Sequence, residues 1–273
     1  LHYAKLHVEN SPESKVLVIA SDIAKYGVGT PGEPTQGAGS VAMLITQNPR
    51  IMAFNNDNVA QTRDIMDFWR PNYSSTPYVN GMYSTQQYLD CLTTTWDEYK
   101  KRYDWTMDDF AAICFHLPYP KLALKGLRKM MDKNLSQEKK DSLQENFDKS
   151  ILYSQMIGNI YTGSLFLGLL SLLENAETLK AGDKIALYSY GSGAVSEFFS
   201  GELVEGYEAY LDKERLSKLK QRTALSVADY EKVFFEEVQL DESGSAQFAG
   251  YEYQDYALVE IVDHQRRYSK VEK

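Results

Sequence analysis

The feature that most constrains the fold is a repeated order of elements: a helix, a turn, a strand that begins with lysine, a glycine-containing turn and a second strand. The first copy has its strands at residues 15–20 and 40–45, and the second has them at 184–190 and from Val195 onward. The lysines are 184 − 15 = 169 positions apart, and side-chain identity between the copies is slight. Strands that alternate with helices predict an α/β protein of two similar halves, each with a buried helix against its sheet.

Several local patterns add further elements to this repeat. The apolar run 15–20 is typical of a strand that is buried on both faces, and the apolar run 165–173 is typical of a helix that is buried on all sides. The segment 50–83 is aromatic and is predicted to be irregular. The remaining predictions are a helix from a Ser84 cap to about Tyr103, charged helices that begin near Ser136 and Ser226, a final strand at 256–262 and a frayed basic tail at 264–273.

A histidine follows the apolar strand 112–115, and two prolines then end the strand and open a helix over 121–131. Ligands bind beyond the carboxyl ends of strands in open α/β sheets, so His116 is a candidate catalytic residue. The alternative is a structural histidine that is held by hydrogen bonds. Cys114, inside the apolar strand, is interpreted as a small core residue rather than a nucleophile.

Two further stretches have both a structural and a functional interpretation. Lys121 and Lys125 are four residues apart, so they share one helix face, which is either an ordinary solvated face or a basic face for an anionic ligand. The small residues in 158–164 lie where the buried helix begins, and the backbone N–H groups there could accept a thioester carbonyl or a phosphate. Tight helix packing explains the same small residues equally well.

Composition excludes several classes of function. The chain has 273 residues, a formal net charge of −9 and a pI near 5.1, which argues against general binding to nucleic acid or an anionic membrane. No apolar run approaches the roughly 20 residues of a membrane span. Two cysteines cannot form a disulfide framework, so we expect a reducing cytoplasm, and no secretory signal is visible. The four histidines show no metal-ligand spacing, and we expect no metal.

Taken together, five motifs resemble the 3-hydroxy-3-methylglutaryl-CoA synthase family, the bacterial branch in particular. They occur in the same order as in the family and cover most of the chain from residue 15 to about 199. The motifs are EPTQGAG at 33–39, DFWRP at 67–71, FHLPYPK at 115–121, GNIYTGS at 158–164 and SYGSG at 189–193.

The resemblance implies a thiolase-like fold, layered α-β-α-β-α with two duplicated halves, in which the N-terminal part of the first half is missing. It divides the chain into residues 1–100, the remainder of the N-terminal half with the aromatic segment, and residues 101–273, the C-terminal half with a helical insertion at about 202–237. It also implies a cytoplasmic homodimer of the mevalonate pathway, which leads to isoprenoids.

The family joins acetyl-CoA with acetoacetyl-CoA, and the CoA thioesters are substrates, so no separate cofactor is expected. His116 matches the family histidine that binds and polarises the acetoacetyl group. Eight further residues match substrate-binding positions or look like pocket residues. These are Asn159, Ser192, Lys121, Lys125, Thr35, Ser84, Tyr26 and Tyr88.

The nucleophilic cysteine and the general-base glutamate of the family have no match here. In the family the cysteine begins the helix whose later turns correspond to residues 1–8, so both groups are expected upstream of Leu1. Cys91 and Cys114 do not match the nucleophile. We therefore expect this chain alone to bind ligand without forming an acetyl-enzyme. The alternatives are a noncatalytic CoA-ester-binding protein of the same fold and another thiolase-fold condensing enzyme.

Overall fold

The computed structural model describes residues 1–74, 76–249 and 256–270, and these residues form a mixed α/β structure. The helices are α1 (His2–Asn10), α2 (Gly81–Tyr103), α3 (Pro120–Met130), α4 (Gln137–Ser150), α5 (Leu152–Ile157), α6 (Gly163–Asn175), α7 (Arg215–Lys220) and α8 (Val227–Phe235). The strands are β1 (Lys15–Ala24), β2 (Gly37–Thr46), β3 (Met52–Phe54), β4 (Val59–Thr62), β5 (Phe68–Trp69), β6 (Tyr78–Val79), β7 (Ala112–Phe115), β8 (Lys184–Gly191), β9 (Val195–Leu203), β10 (Ala246–Gln247), β11 (Tyr256–Val262) and β12 (Gln265–Lys270).

The chain forms two compact units, Leu1–Arg222 and Thr223–Lys273. The second unit begins inside the predicted insertion 202–237 and contains α8 and the antiparallel sheet β10–β11–β12. The predicted division at residue 100 concerns the duplicated halves of the family fold, and it stays a prediction.

In the first unit, the main sheet has the order β3-β9-β8-β7, and β4 also pairs with β9. β7 is parallel to β8, whereas β8 and β9 form an antiparallel pair. A separate two-stranded sheet pairs β1 with β2 over their full length, from Lys15 opposite Thr46 to Ala24 opposite Gly37. The predicted repeat is confirmed, because α1–β1–β2 and α6–β8–β9 have the same order and the same antiparallel pairing.

The main sheet is covered on both faces. On one face, α2, α3 and α4 pack over Ile113, Phe115 and Tyr188, and on the other face α6 packs over Cys114 and Leu187. Successive side chains of a strand point to opposite faces, so β7 contributes to both cores. The cores hold the end of β7 rigidly, and Cys114 is a core residue, as predicted.

The structure corrects four predictions about the elements. β1 is not buried on both faces, because alternate side chains such as Leu17 (58% exposed) and Ile19 (59%) face outward. The helix predicted from Ser84 begins at Gly81, and the Asn80 side chain caps it by accepting a hydrogen bond from the Tyr83 N–H (3.2 Å). The aromatic segment contains four short strands, β3 to β6. The tail forms β12 through residue 270, and residues 271–273 lie outside the described part of the chain.

α6 is also less enclosed than predicted. Phe166, Leu169 and Leu170 are half-buried and line a cavity of about 420 Å³. Val41 and Met43 of β2 line the same cavity. One side of this apolar helix therefore faces open space beside β2 and β3 rather than packed side chains.

No helix among the described residues is both long enough and apolar enough to cross a membrane. The same residues contain no group of three or more His, Cys, Asp or Glu side chains arranged to hold a metal ion.

Candidate functional site

His116 lies directly after β7 and its backbone is fixed from two sides. Its N–H donates to the Tyr188 carbonyl (2.7 Å), which continues the parallel pairing of β7 with β8. Its carbonyl accepts a hydrogen bond from the Tyr88 hydroxyl of α2 (3.0 Å), and the Tyr188 hydroxyl donates back to the Tyr88 carbonyl (3.1 Å). Both tyrosines are fully buried. The histidine is therefore held by core packing, and its ring remains half-buried.

Burial lowers the pKa of His116 from its ordinary value of 6.5 to about 4, because a partly desolvated site disfavours the imidazolium. The imidazole is therefore neutral at pH 7, with one ring N–H that can donate and one nitrogen that can accept. Burial also raises the pKa of Tyr88 well above its ordinary value, so its phenol keeps the proton that it donates to the His116 carbonyl.

A buried carboxylate, Asp67, joins two predicted site residues. It accepts hydrogen bonds from the hydroxyls of Ser84 (3.0 Å), Ser192 (2.9 Å) and Tyr190 (2.9 Å), and from the Gly193 N–H (3.3 Å). Asp67 is fully buried, so these donors replace the water that a carboxylate needs. Ser84 on α2 and Ser192 in the β8–β9 turn thus share one anchor, although they are 192 − 84 = 108 residues apart.

Sequence analysis did not select Asp67 as a site residue. The available signal was an acidic side chain within an otherwise aromatic motif, DFWRP at 67–71. That signal does not reveal what the Asp67 carboxylate binds, because all the groups that bind it come from distant parts of the chain, α2 and the second hairpin.

Asn159 lies in the turn before α6 and is almost fully buried. Its Oδ1 accepts from the Tyr161 N–H and from the Ser164 hydroxyl, both at 2.9 Å. The Tyr26 ring meets the Tyr161 ring edge to face with centroids 6.4 Å apart, and Tyr161 donates its N–H to Asn159. Burial, followed by the neighbouring Tyr161 side chain, raises the pKa of Tyr26, so Tyr26 is a neutral phenol beside the Asn159 turn.

Two glycines allow the loop before β2 to contact the Asn159 turn. A Cβ on Gly37 would lie 2.5 Å from the Asn159 backbone, and one on Gly158 would lie 1.9 Å from the Gln36 carbonyl. Gly158 also has a φ of 84°, which favours glycine. Thr35 precedes this contact, but its hydroxyl donates within its own turn to the Gly32 carbonyl (2.8 Å). The Thr35 prediction thus has a local structural explanation.

Ring contacts connect these groups into one network. The Tyr88 and Tyr190 rings meet edge to face with centroids 5.3 Å apart, and Tyr190 binds Asp67. Phe68, the next residue, meets Tyr26 edge to face at 5.7 Å. Contacts therefore run without a break from the His116 backbone through Tyr88, Tyr190 and the Asp67 segment to Tyr26 and Asn159.

The lysine pair lies beside this network on α3, which begins four residues after His116. Lys121 and Lys125 are both exposed, whereas Leu122, Ala123 and Leu127 of the same helix are buried. The predicted shared face is observed, and it faces solvent. No ion pair involves either lysine within the described part of the chain.

A cavity of about 420 Å³ opens beside the Tyr26 end of the network. It is lined by Asp22, Ile23, Lys25, Phe68, Arg70, Pro77 and Tyr161. The lining thus combines two aromatic rings with two cations and one carboxylate. His116 does not line this cavity.

Both thiols of the chain are unsuited to nucleophilic attack. Cys91 and Cys114 are buried, and burial raises the pKa of Cys114 to about 12 and that of Cys91 above its ordinary value. The thiolate is the reactive form of cysteine, and it is therefore scarce at neutral pH.

A family model described as hydroxymethylglutaryl-coenzyme A synthase, C terminal, matches residues 58–152 and 127–267, which together are more than half of the chain. This chain belongs to the hydroxymethylglutaryl-CoA synthase family. A synthase from Enterococcus faecalis is 51% identical over 88% of this chain, and PksG from Bacillus subtilis, a 3-hydroxy-3-methylglutaryl-ACP synthase of polyketide biosynthesis, is 31% identical over 83%. The chain spans 63% and 57% of the lengths of these relatives.

Solved structures of the family agree with this assignment. An HMG-CoA synthase complexed with CoA is 65% identical, with a TM-score of 0.95 over 99% of this chain and 70% of that structure. MvaS in complex with 3-hydroxy-3-methylglutaryl coenzyme A is 29% identical, with a TM-score of 0.79. The predicted α/β thiolase-like fold is confirmed by these neighbours.

Proposed function

We propose that this chain carries the acyl-CoA-binding part of a hydroxymethylglutaryl-CoA synthase. In the proposed reaction, the acetyl group of acetyl-CoA and the ketone of acetoacetyl-CoA condense to 3-hydroxy-3-methylglutaryl-CoA. The observation that carries the proposal is the neutral imidazole of His116 at the end of β7, held by Tyr88 and Tyr188. A ring N–H in this state can donate to the ketone oxygen and stabilise the negative charge that develops there as the carbon–carbon bond forms.

The other predicted residues have roles that fit this chemistry. Asn159 offers amide N–H groups to an acyl carbonyl. Ser192 and Ser84 donate their hydroxyl protons to Asp67, so their oxygens can accept a hydrogen bond from a ligand. Lys121 and Lys125 can bind the phosphates of CoA by charge. Tyr26 packs against Tyr161 of the Asn159 turn, and Tyr88 holds the His116 backbone. Thr35 is retained as a substrate contact on the family resemblance alone.

The acetyl-carrying thiol and the base are proposed to come from polypeptide outside these 273 residues. The support is chemical: both cysteines are buried and poorly ionised, so neither can form a thioester readily. The chain by itself is then inactive in the complete reaction. We also propose a cytoplasmic homodimer that acts in the mevalonate pathway, for which the family resemblance is the support.

A second candidate function follows from the same two thiols. A protein that binds CoA esters without catalysis needs the histidine, the amide and the lysines but no nucleophile. One experiment separates the two candidates: polypeptide that carries the family's cysteine and glutamate is added to this chain. Condensation activity should appear if the chain is part of a synthase, and should not appear if it is a noncatalytic binding protein.

Calorimetric titration with acetoacetyl-CoA and with CoA at pH 7 tests the binding proposal. We expect the intact chain to prefer acetoacetyl-CoA, and His116→Ala to lose about tenfold in affinity for acetoacetyl-CoA but not for CoA, because one hydrogen bond to the acyl group is worth about 1.4 kcal/mol. The matched control is His7→Ala, an exposed histidine on α1. Equal affinity of the intact chain for both ligands would contradict the proposal.

The lysines and the thiols are tested separately. Replacing Lys121 and Lys125 by Gln should weaken both ligands equally, and the loss should shrink at high salt because exposed charges are screened. Incubation with radiolabelled acetyl-CoA should leave Cys91 and Cys114 unlabelled. Stable label on either cysteine would show that the chain holds its own acyl acceptor.

A further inference from the structure

The Asn159 turn contains a buried serine that the proposed function does not use. Ser164 is fully buried in the first turn of α6, and its hydroxyl oxygen accepts a hydrogen bond from the Ile160 N–H (2.9 Å). The hydroxyl proton is therefore available to donate, and it lies 2.9 Å from the Asn159 Oδ1. Ser164 thus links the backbone of the turn to the Asn159 side chain.

These bonds fix which way the Asn159 amide faces. A backbone N–H can only donate, so the atom that receives the Tyr161 N–H must be the amide oxygen and not the amide nitrogen. The Ser164 hydroxyl donates to the same oxygen, and both of its lone pairs are then occupied. Nδ2 therefore points away from both donors, and its protons are left for other acceptors such as a ligand.

The backbone of the turn is held in an unusual conformation at the same point. Tyr161 has a φ of 49°, in the left-handed region, which is unfavourable for a residue other than glycine. The Tyr161 side chain also lines the cavity with Lys25 and Arg70. The hydrogen bonds to Asn159 offset this cost, so the side-chain amide and the strained backbone support one another.

We propose that Ser164 is a positioning residue for the acyl group: it locks the Asn159 amide with its N–H groups toward the ligand. This inference rests on the proposed function, because it assigns an Nδ2 proton to the carbonyl of the CoA thioester. Without the Ser164 hydroxyl, only the Tyr161 N–H holds Oδ1 in place, so rotation of the amide costs less. Rotation would present the oxygen, an acceptor, to the acyl carbonyl, which is also an acceptor.

Ser171 provides a matched control on the same helix. It is also fully buried, its hydroxyl donates to the Lys149 carbonyl (2.6 Å), and its oxygen accepts from the Tyr153 N–H (3.3 Å). Ser171→Ala therefore removes a comparable hydroxyl without touching Asn159. Asn159→Asp is the second variant, because an aspartate keeps the two accepted bonds, loses the N–H donors and adds a carboxylate in their place.

The test measures the affinities of the whole chain and its variants for acetoacetyl-CoA and for CoA by calorimetry. We expect Ser164→Ala to weaken acetoacetyl-CoA about 3- to 10-fold and to leave CoA unchanged, and Asn159→Asp to do the same or more. Ser171→Ala should leave both affinities unchanged, although it should lower the urea midpoint about as much as Ser164→Ala does. In the Asn159→Asp background, Ser164→Ala should cause no further loss, because both act through the same donor.

The two possible failures are distinguishable. If the unaltered chain does not prefer acetoacetyl-CoA over CoA, the proposed function is wrong and the inference is wrong with it. If the unaltered chain and Ser164→Ala show the same preference while Asn159→Asp loses it, the proposed function stands and Ser164 has no positioning role. If Ser164→Ala and Ser171→Ala lose the same affinity for acetoacetyl-CoA, the role of Ser164 is structural and the inference is wrong.

Discussion

The two copies of the helix–hairpin repeat have the same order and pairing but very different surroundings. In the second copy, β8 lies between β7 and β9 with helices on both faces, and Leu187 is fully buried. In the first copy, β1 pairs with β2 and with no other strand of the described residues, and one face of the hairpin exposes Leu17, Ile19 and Leu44. Similar apolar strands are thus core in one copy and half surface in the other.

This difference separates two levels of organisation. The repeat is a local property, because a strand, a glycine-containing turn and a second strand form an antiparallel pair wherever they occur. Burial is a property of the layers that pack on the pair. It also decides where the site forms: both His116 and the Asp67 anchor are fixed by the deeply buried copy, through Tyr188 and Tyr190.

The largest expected effect compares a leucine in the first strand of each copy. Leu187→Ala should lower the free energy of unfolding by about 2–5 kcal/mol because it leaves a cavity in a packed core. Leu17→Ala, at a side chain that is 58% exposed, should cost less than about 1 kcal/mol. Urea denaturation measures both. A large loss at Leu17 would mean that the outer face of β1 is covered in solution, and the contrast would fail.

The next prediction concerns the anchor at the turn of the second copy. Asp67→Asn should cost about 1.5–3 kcal/mol, because four donors lose a charged acceptor, and it should also weaken acetoacetyl-CoA through Ser84 and Ser192. Asp64→Asn, an exposed carboxylate three residues earlier, serves as the control and should be nearly neutral. Urea denaturation and calorimetry give the two readouts. Unchanged stability in Asp67→Asn would show that the carboxylate is not the anchor.

The third prediction uses pH at the end of β7. The pKa of His116 is about 4 in the folded chain and near 6.5 when unfolded, so the unfolded state binds more protons between these values and stability falls as pH falls through this window. From pH 7 to pH 5 this amounts to roughly 1–2 kcal/mol. The free energy of unfolding, measured by urea denaturation at pH 7 and pH 5, should fall less in His116→Gln than in the unaltered chain, by that amount. Identical pH dependence would contradict the lowered pKa.

The smallest expected effect concerns the loop of the first copy. The Gln36 Oε1 accepts from the N–H groups of Tyr26 (2.7 Å) and Gly27 (3.0 Å), much as Asp67 accepts from Gly193 in the second copy, but without charge. Gln36→Ala should therefore cost about 1 kcal/mol, less than Asp67→Asn. Gln47→Ala, at an exposed position after β2, is the control. If Gln36→Ala lowers the free energy of unfolding more than Asp67→Asn does, the prediction that the loop of the first copy is the more weakly held is wrong.

The sequence predicted elements best where local chemistry is decisive. Ser136 and Ser226 cap α4 and α8 as expected, since each hydroxyl accepts an N–H three residues on. Strand β7 and the histidine at its end were also predicted, because an apolar run followed by proline has few alternatives. Ser84 was misassigned as a cap because Asn80 and Ser84 are both suitable residues, and only the fold shows that the Ser84 hydroxyl is bound to Asp67.

By itself, the sequence determined the repeat, the position of His116 at a strand end, the shared face of Lys121 and Lys125, and the family. Those follow from periodicity, proline and short motifs, which act over a few residues. Only the tertiary structure decided that Asp67 gathers Ser84 and Ser192, and that one hairpin is core and the other half exposed. Such contacts join residues distant along the chain, so their energies depend on how helices and sheets pack and not on any local pattern.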